Sequence, residues 1–282
     1  MVSHLLNRFY HIAQQAVFPS KCLVCDAFYQ VPDRNRNRNS AINIADERAR
    51  PLSIRAQVEK SLANCLCPGC LTDLILVESP LCTGCGIPFA GRQGPDHYCG
   101  ACLASGNRSG IARAPLVYDR VMTEVIHSFK YRGKIQLAEP LSELLLTAFM
   151  FFWDIDGIDI ILPVPLHPGR LRQRGFNQAY LLIENWPRLA ARHSGDLSRI
   201  QIERELLVRT TPTVPQSALG RDQRAENIKD AFDLAHKETV KGKNILLIDD
   251  VYTTGATVNE CGRLLLKCGA RKVDVLTLAR AV

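Results

Sequence analysis

The chain has 282 residues, 46% of them hydrophobic and 22% charged. That is enough for one sizeable core plus a small extra module, and the balance is that of an ordinary soluble globular protein rather than a fibrous or disordered one. A formal charge of +7 and a pI near 8.9 suit phosphate-bearing partners, though only weakly, because many equally basic proteins have none.

In chain order, the opening stretch "MVSHLLNRFYHIAQQAVFPS" is broken by polar residues and lacks a continuous apolar core with a small-residue cleavage site. No secretion signal is expected, and a cytoplasmic location follows. Residues 30–51, "QVPDRNRNRNSAINIADERARP", are polar and repeat Asn-Arg. A solvated, mobile insertion is expected there, over about 30–60.

Eleven cysteines are many for such a chain, and nine of them fall between residues 22 and 102. In a reducing compartment that clustering points to metal rather than to disulfides. Four Cys-x-x-Cys knuckles stand out: Cys22/Cys25, Cys67/Cys70, Cys82/Cys85 and Cys99/Cys102. Two knuckles complete a tetrahedral four-thiolate site, so eight thiolates imply two structural zinc ions. Spacing alone leaves open which knuckles pair. Cys65 and His97 are expected to be bystanders.

Near residue 110 the texture changes from Cys, Gly and Pro to alternating strands and helices. Residues 114–119 read as a strand and 120–132 as a helix, with Val121, Val125 and Phe129 on one face. A second helix is expected over 135–153; its "LLLTAFMFFW" is strongly apolar but too short to cross a bilayer, so no membrane insertion is expected. A buried strand follows at 158–165, then a helical pattern over 176–192 interrupted at Trp186-Pro187. Residues 244–249 form another buried strand, 256–268 a helix ending at Gly269, and 272–279 a last strand. Continuous apolar strands alternating with helices predict a parallel α/β sheet covered on both faces. The expected organisation is thus a zinc-ribbon module over 1–110 and an α/β domain over 111–282.

The stretch "LLIDDVYTTGAT" (246–257) ends a buried strand in two acids and a turn of small residues, with a helix straight after. At the carboxyl edge of a parallel sheet, that turn exposes backbone N–H groups to an anion, helped by the helix N-terminus. Thr253, Thr254, Gly255, Ala256 and Thr257 are candidate phosphate ligands. Asp249 and Asp250 are suited to sugar hydroxyls or to a Mg²⁺-bound water. The loop is neither a Walker loop nor a dinucleotide fingerprint.

This stretch resembles the phosphoribosyl-pyrophosphate-binding motif of type I phosphoribosyltransferases, with Tyr252 standing where aliphatic residues are commoner. Three further segments, "LPVPLHPGRLRQRGFNQAYLL", "TVPQSALGRDQRAENIKDAFDL" and "FKYRGK", resemble the ComF/GntX family when they follow a double zinc ribbon. The resemblance implies a type I phosphoribosyltransferase-like fold and a role in DNA uptake or utilisation. It also implies Mg²⁺ with phosphoribosyl pyrophosphate as ligand, the pyrophosphate held by basic loops whose candidates are Arg170, Arg174, Arg224 and Lys130. Arg172, Arg132, Arg221, Lys229, Asn177 and Gln178 are second rank. No segment reads as an acceptor pocket, so the acceptor and any catalytic residue are unassigned. The alternative is a non-catalytic binding factor that keeps the ribose-phosphate site as a sensor or grip, with single-stranded DNA or a competence helicase as partner.

Overall fold

The computed structural model describes residues 19–31, 54–91, 93–104, 110–192, 195–211 and 228–282. The Arg/Asn-rich stretch, Arg221 and Arg224 lie outside them.

The N-terminal part is short elements around thiols. β1 (Ser20–Lys21) and β2 (Phe28–Tyr29) form an antiparallel pair around the first knuckle. Within the range 30–60, where an insertion is expected, the described residues open α1 (Ile54–Leu62). Its periodicity is thin: Val58 and Leu62 are the fully buried apolar residues, and Ile54 and Ala56 are the other apolar ones among polar neighbours. α2 (Pro68–Thr72) carries the second knuckle and α3 (Gly100–Ala104) the fourth.

Beyond residue 110 the chain builds a parallel sheet. Within the strand expected over 114–119 only β4 (Leu116–Val117) forms, and β3 (Ala112–Arg113) precedes that range; both pair with the last strand. α4 (Arg120–Tyr131) starts at Asp119, whose carboxylate accepts from the Met122 N–H, an N-cap that satisfies one free donor of the first turn. α5 (Ala138–Phe152) follows a 3-10 turn. Then come β5 (Ile160–Pro163), α6 (Pro168–Arg174), α7 (Gln178–Leu181) and α8 (Trp186–Arg192). The expected interruption of the 176–192 helix is present: α8 starts at Trp186, placing Pro187 in the first turn, where its missing N–H costs nothing.

β6 (Gln201–Ile202) adds an edge strand, and β7 (Leu207–Arg209) pairs antiparallel with β8 (Phe232–Leu234). β9 (Asn244–Tyr252), α9 (Ala256–Lys267) and β10 (Lys272–Arg280) complete the described chain. The main sheet runs β3-β10-β9-β5-β6, with β4 also on β10, and every pairing is parallel. The expected parallel α/β architecture is therefore present, and β9 occupies its centre.

Measured over Ile135–Phe152, the apolar helix does reach the length and composition of a membrane span. It is a core helix all the same: Leu141, Leu144, Leu145, Ala148 and Phe149 are fully buried, and Phe149 stacks on Trp186 at 5.3 Å. One apolar cluster joins this helix to Cys22, Val58, Leu62, Leu66 and Cys70, so the first thiol group shares its core with the sheet. At about 25 cal/mol per Å² of apolar surface removed from water, such continuity favours docking of the ribbon on the sheet. Asp274 is buried inside β10, accepting from the Ile111 N–H and from Trp153 Nε1, both at 2.8 Å, and paired with Lys272. It ties the chain entry near residue 110 to the sheet.

Candidate functional site

Two groups of four thiols are present. Cys22, Cys25, Cys67 and Cys70 form one, and Cys82, Cys85, Cys99 and Cys102 the other, with the sulfurs of each group all within 4.8 Å of one another. Cys25 and Cys67 sulfurs are 3.6 Å apart, and those of Cys85 and Cys99 3.8 Å. A tetrahedral zinc with bonds of about 2.3 Å has sulfur–sulfur edges of about 3.8 Å, so each donor set fits the metal. The knuckles thus pair in sequence order, the point that spacing left open.

Burial works against ionising Cys82, yet the backbone N–H groups of Cys85, Cys99 and Gly84 outweigh it and lower the thiol to about 6. Cys22 is likewise lowered to about 7: burial is overcome by the N–H groups of Cys25, Cys67 and Val24. Burial and then the neighbouring sulfurs push Cys70 and Cys102 the other way. His97 stands outside the groups, stacked on Phe89 at 4.1 Å, and Cys65 is also outside.

The second site sits at the carboxyl edge of the sheet. β9 delivers Asp249 and Asp250 there, and the next turn closes on α9. A cleft of about 1140 Å³ opens over this edge, lined by Asp249, Asp250, Thr253, Gly255, Ala256 and Thr257. The same cleft takes in Lys130 from α4, Arg170 and Arg174 from α6, and Arg209 from β7. Thr254 is not part of the lining; its hydroxyl accepts from the Ala256 N–H at 3.3 Å and so holds the turn from within.

Gly255 has φ +79°, and a Cβ there would run into the Tyr252 ring. Only glycine allows the turn to close this tightly before the helix. Tyr252 itself is buried, which explains the departure from an aliphatic residue: its ring packs beneath the turn and against the Arg280 guanidinium, 4.4 Å from the ring centre.

The acids differ. Asp250 is buried and its carboxylate lies 2.7 Å from Lys130 Nζ. Burial opposes the Lys130 charge, but Asp250 more than compensates and raises its pKa. Asp249 accepts from the Asp250 N–H at 2.9 Å. Desolvation, with the charge of Asp250 next in importance, raises its carboxyl to about 7. Desolvation and then the Asp249 charge push the buried Cys261 thiol well up, leaving it unreactive.

Of "FKYRGK", Lys130 faces the cleft and Arg132 pairs outside with Glu124 at 3.1 Å. Arg174 stacks on Tyr131 at 4.6 Å and donates to Gln178 Oε1 at 2.6 Å. Asn177 caps α7, accepting from the Ala179 N–H. Arg172 and Lys229 are exposed and outside the cleft lining. Arg209, which no motif marks, lines the cleft; burial and then the charge of Arg170 lower its pKa. Two guanidiniums close enough to oppose one another make this end of the cleft favourable to an anion.

A profile of the phosphoribosyl transferase domain matches residues 207–281. Over longer stretches the chain is 33% identical to the DNA utilization protein YhgH of Escherichia coli K12, across 73% of this chain and 86% of that one. It is 30% identical to competence protein F of Haemophilus influenzae, across 77% and 98% of the two chains. The chain belongs to the ComF family. The ComF member of Bacillus subtilis, competence protein ComFC, is 29% identical across 77% of this chain and 84% of its own. A competence and DNA-utilisation family, a phosphoribosyltransferase-like domain and two four-cysteine groups thus coincide in one molecule.

Proposed function

We propose that this ComF protein binds phosphoribosyl pyrophosphate with Mg²⁺ in the cleft over β9. The carrying observation is that the acid pair, the turn and four cationic side chains from three separate elements line one cavity. The 5′-phosphate sits against the N–H groups of 253–257, where the helix N-terminus favours an anion. Asp249 and Asp250 accept from the ribose hydroxyls. Arg170, Arg174 and Lys130, with Arg224 from the stretch between β7 and β8, hold the pyrophosphate. Mg²⁺ would neutralise the diphosphate, and the two carboxylates supply the hard oxygen donors it requires. Each group of four cysteines holds one structural zinc, and with four protein ligands neither leaves a position for substrate.

The relatives named for competence and DNA utilisation support a role in DNA uptake or utilisation; this reading places the protein in the cytoplasm, with single-stranded DNA or a competence helicase as partner. The net charge of +7 supports mainly electrostatic contact. The division into a ribbon module over 1–110 and a ligand-binding domain over 111–282 fits these two tasks. The acceptor is left unassigned, and a sensor that binds without transfer is the second reading, favoured by the DNA-related relatives.

Thermal unfolding tests the ligand. Phosphoribosyl pyrophosphate with Mg²⁺ at about a hundred times its dissociation constant should stabilise the wild type by about 2.7 kcal/mol. The Asp249→Asn/Asp250→Asn double variant should show no ligand-dependent shift. An unshifted wild type would remove the proposal.

A further inference from the structure

Arg280, the last residue of β10, is buried at 7% exposure and spends its guanidinium on two separate parts of the molecule. Its Nε donates to the Cys85 carbonyl at 3.2 Å, and Nη2 lies 3.8 Å from Cys85 Sγ. On the other side Nη1 donates to the carbonyls of Tyr252 at 3.1 Å and Thr253 at 2.7 Å, and to Ala281. The cation also covers the Tyr252 ring, against which Gly255 closes the turn. One side chain thus touches a ligand of the second thiol group and the backbone where the turn begins.

The surroundings hold that knuckle independently. The Ala112 N–H donates to the Gly84 carbonyl at 2.8 Å, and Arg113 reaches the Thr83 carbonyl at 3.1 Å. The knuckle is therefore docked on β3, next to β10, and Arg280 spans from there to β9. Five N–H donors in a fixed plane make arginine able to serve divergent acceptors at once. Lysine would place a single charge at one of them.

We infer that Arg280 is a positioning residue that couples the second zinc site to the turn at 253–257. With metal bound, the Cys85 thiolate and carbonyl are fixed, and a four-thiolate centre offers negative charge to the guanidinium. Arg280 then pins the Tyr252 and Thr253 carbonyls and keeps the following N–H groups in register. Partners of this outer kind orient metal ligands, and their loss costs about 10–100-fold in metal affinity. Coupling is reciprocal, so filling the turn strengthens the metal site in the same proportion. The identity of the turn's ligand rests on the preceding section; the coupling itself does not.

The test is backbone amide exchange on the full-length protein without ligand, read at 253–257 and, as a control, at the buried strand residues Leu246–Ile248. Arg280→Ala should raise exchange in the turn by about tenfold or more and lower zinc affinity of the second group about 10–100-fold. Cys99→Ser, which empties the second group, should loosen the turn to the same degree. Adding Arg280→Ala to it should do nothing further. Cys25→Ser, which disables the first group, should leave the turn unchanged, and Arg280→Lys should recover metal affinity more than turn protection. An unmoved turn, additive effects, equal loosening by Cys25→Ser, or Leu246–Ile248 loosening in step would overturn the inference. Absence of phosphoribosyl pyrophosphate binding by the wild type would sink the proposed function alone.

Discussion

Lys130 Nζ lies 2.7 Å from Asp250 Oδ2, the two side chains being 20% and 9% exposed. The pair spans two elements, the last turn of α4 and the carboxyl end of β9. It makes the adjacent acids unequal, because Asp250 has a cation of its own while Asp249 has the Asp250 carboxylate as neighbour. A ligand with ribose hydroxyls and a diphosphate meets a site in which one acid is already balanced and the other is held near neutrality.

Removing Lys130 leaves a buried carboxylate without its partner. Lys130→Met is expected to destabilise the protein by about 3 kcal/mol, the lower end of the range for breaking a buried pair, since Lys130 keeps some water contact. Denaturant unfolding at pH 7.5 measures it. The loss should shrink at pH 4, where the orphaned acid can take up a proton; a loss below about 1 kcal/mol at pH 7.5 would contradict the pairing.

Asp249 gives a pH dependence of defined sign. Its folded-state value of about 7 lies above the ordinary 3.8, so the folded protein holds more protons between those limits. Its contribution to stability therefore falls as pH rises from about 4 to about 7. Asp249→Asn should gain stability relative to wild type progressively across that window, the difference growing by roughly 4 kcal/mol at most. Unfolding free energies at pH 4.5, 6 and 7.5 check this, and a flat difference would refute it.

Gly255→Ala tests the turn. A side chain at φ +79° and against Tyr252 should cost about 1–3 kcal/mol and weaken phosphate binding, read by calorimetric unfolding and ligand titration. A neutral substitution would mean that the turn is not built as described.

Metal analysis should find two zinc ions per chain, and Cys25→Ser should remove one. Because zinc binds the thiolate form, zinc uptake should weaken as pH falls, protons competing for the sulfurs.

What could be read from the sequence was what is local in it. The acids, the turn and the helix behind them are one continuous stretch, so "LLIDDVYTTGAT" carried its geometry with it. The thiol knuckles were equally plain, but any two of them satisfy a tetrahedral ion, and only the folded chain pairs Cys25 with Cys67 and Cys85 with Cys99. Lys130 was marked only through the family resemblance of "FKYRGK", whereas Arg209 and Arg280 reach the site from elements far apart in sequence, and each taken alone is an ordinary cation. Arg280 follows the apolar run of β10 with no motif around it. α1 was missed because Val58 and Leu62 are its only fully buried apolar residues among polar neighbours, and β6 and the β7–β8 pair are too short to show a period of two.

The central claim is the phosphoribosyl site, and isothermal calorimetry of the full-length protein with phosphoribosyl pyrophosphate and Mg²⁺ tests it most directly. Saturable binding at one site per chain is expected, lost in Asp249→Asn/Asp250→Asn and weakened when Mg²⁺ is withheld. No binding by the wild type, or equal binding by the double variant, would contradict it.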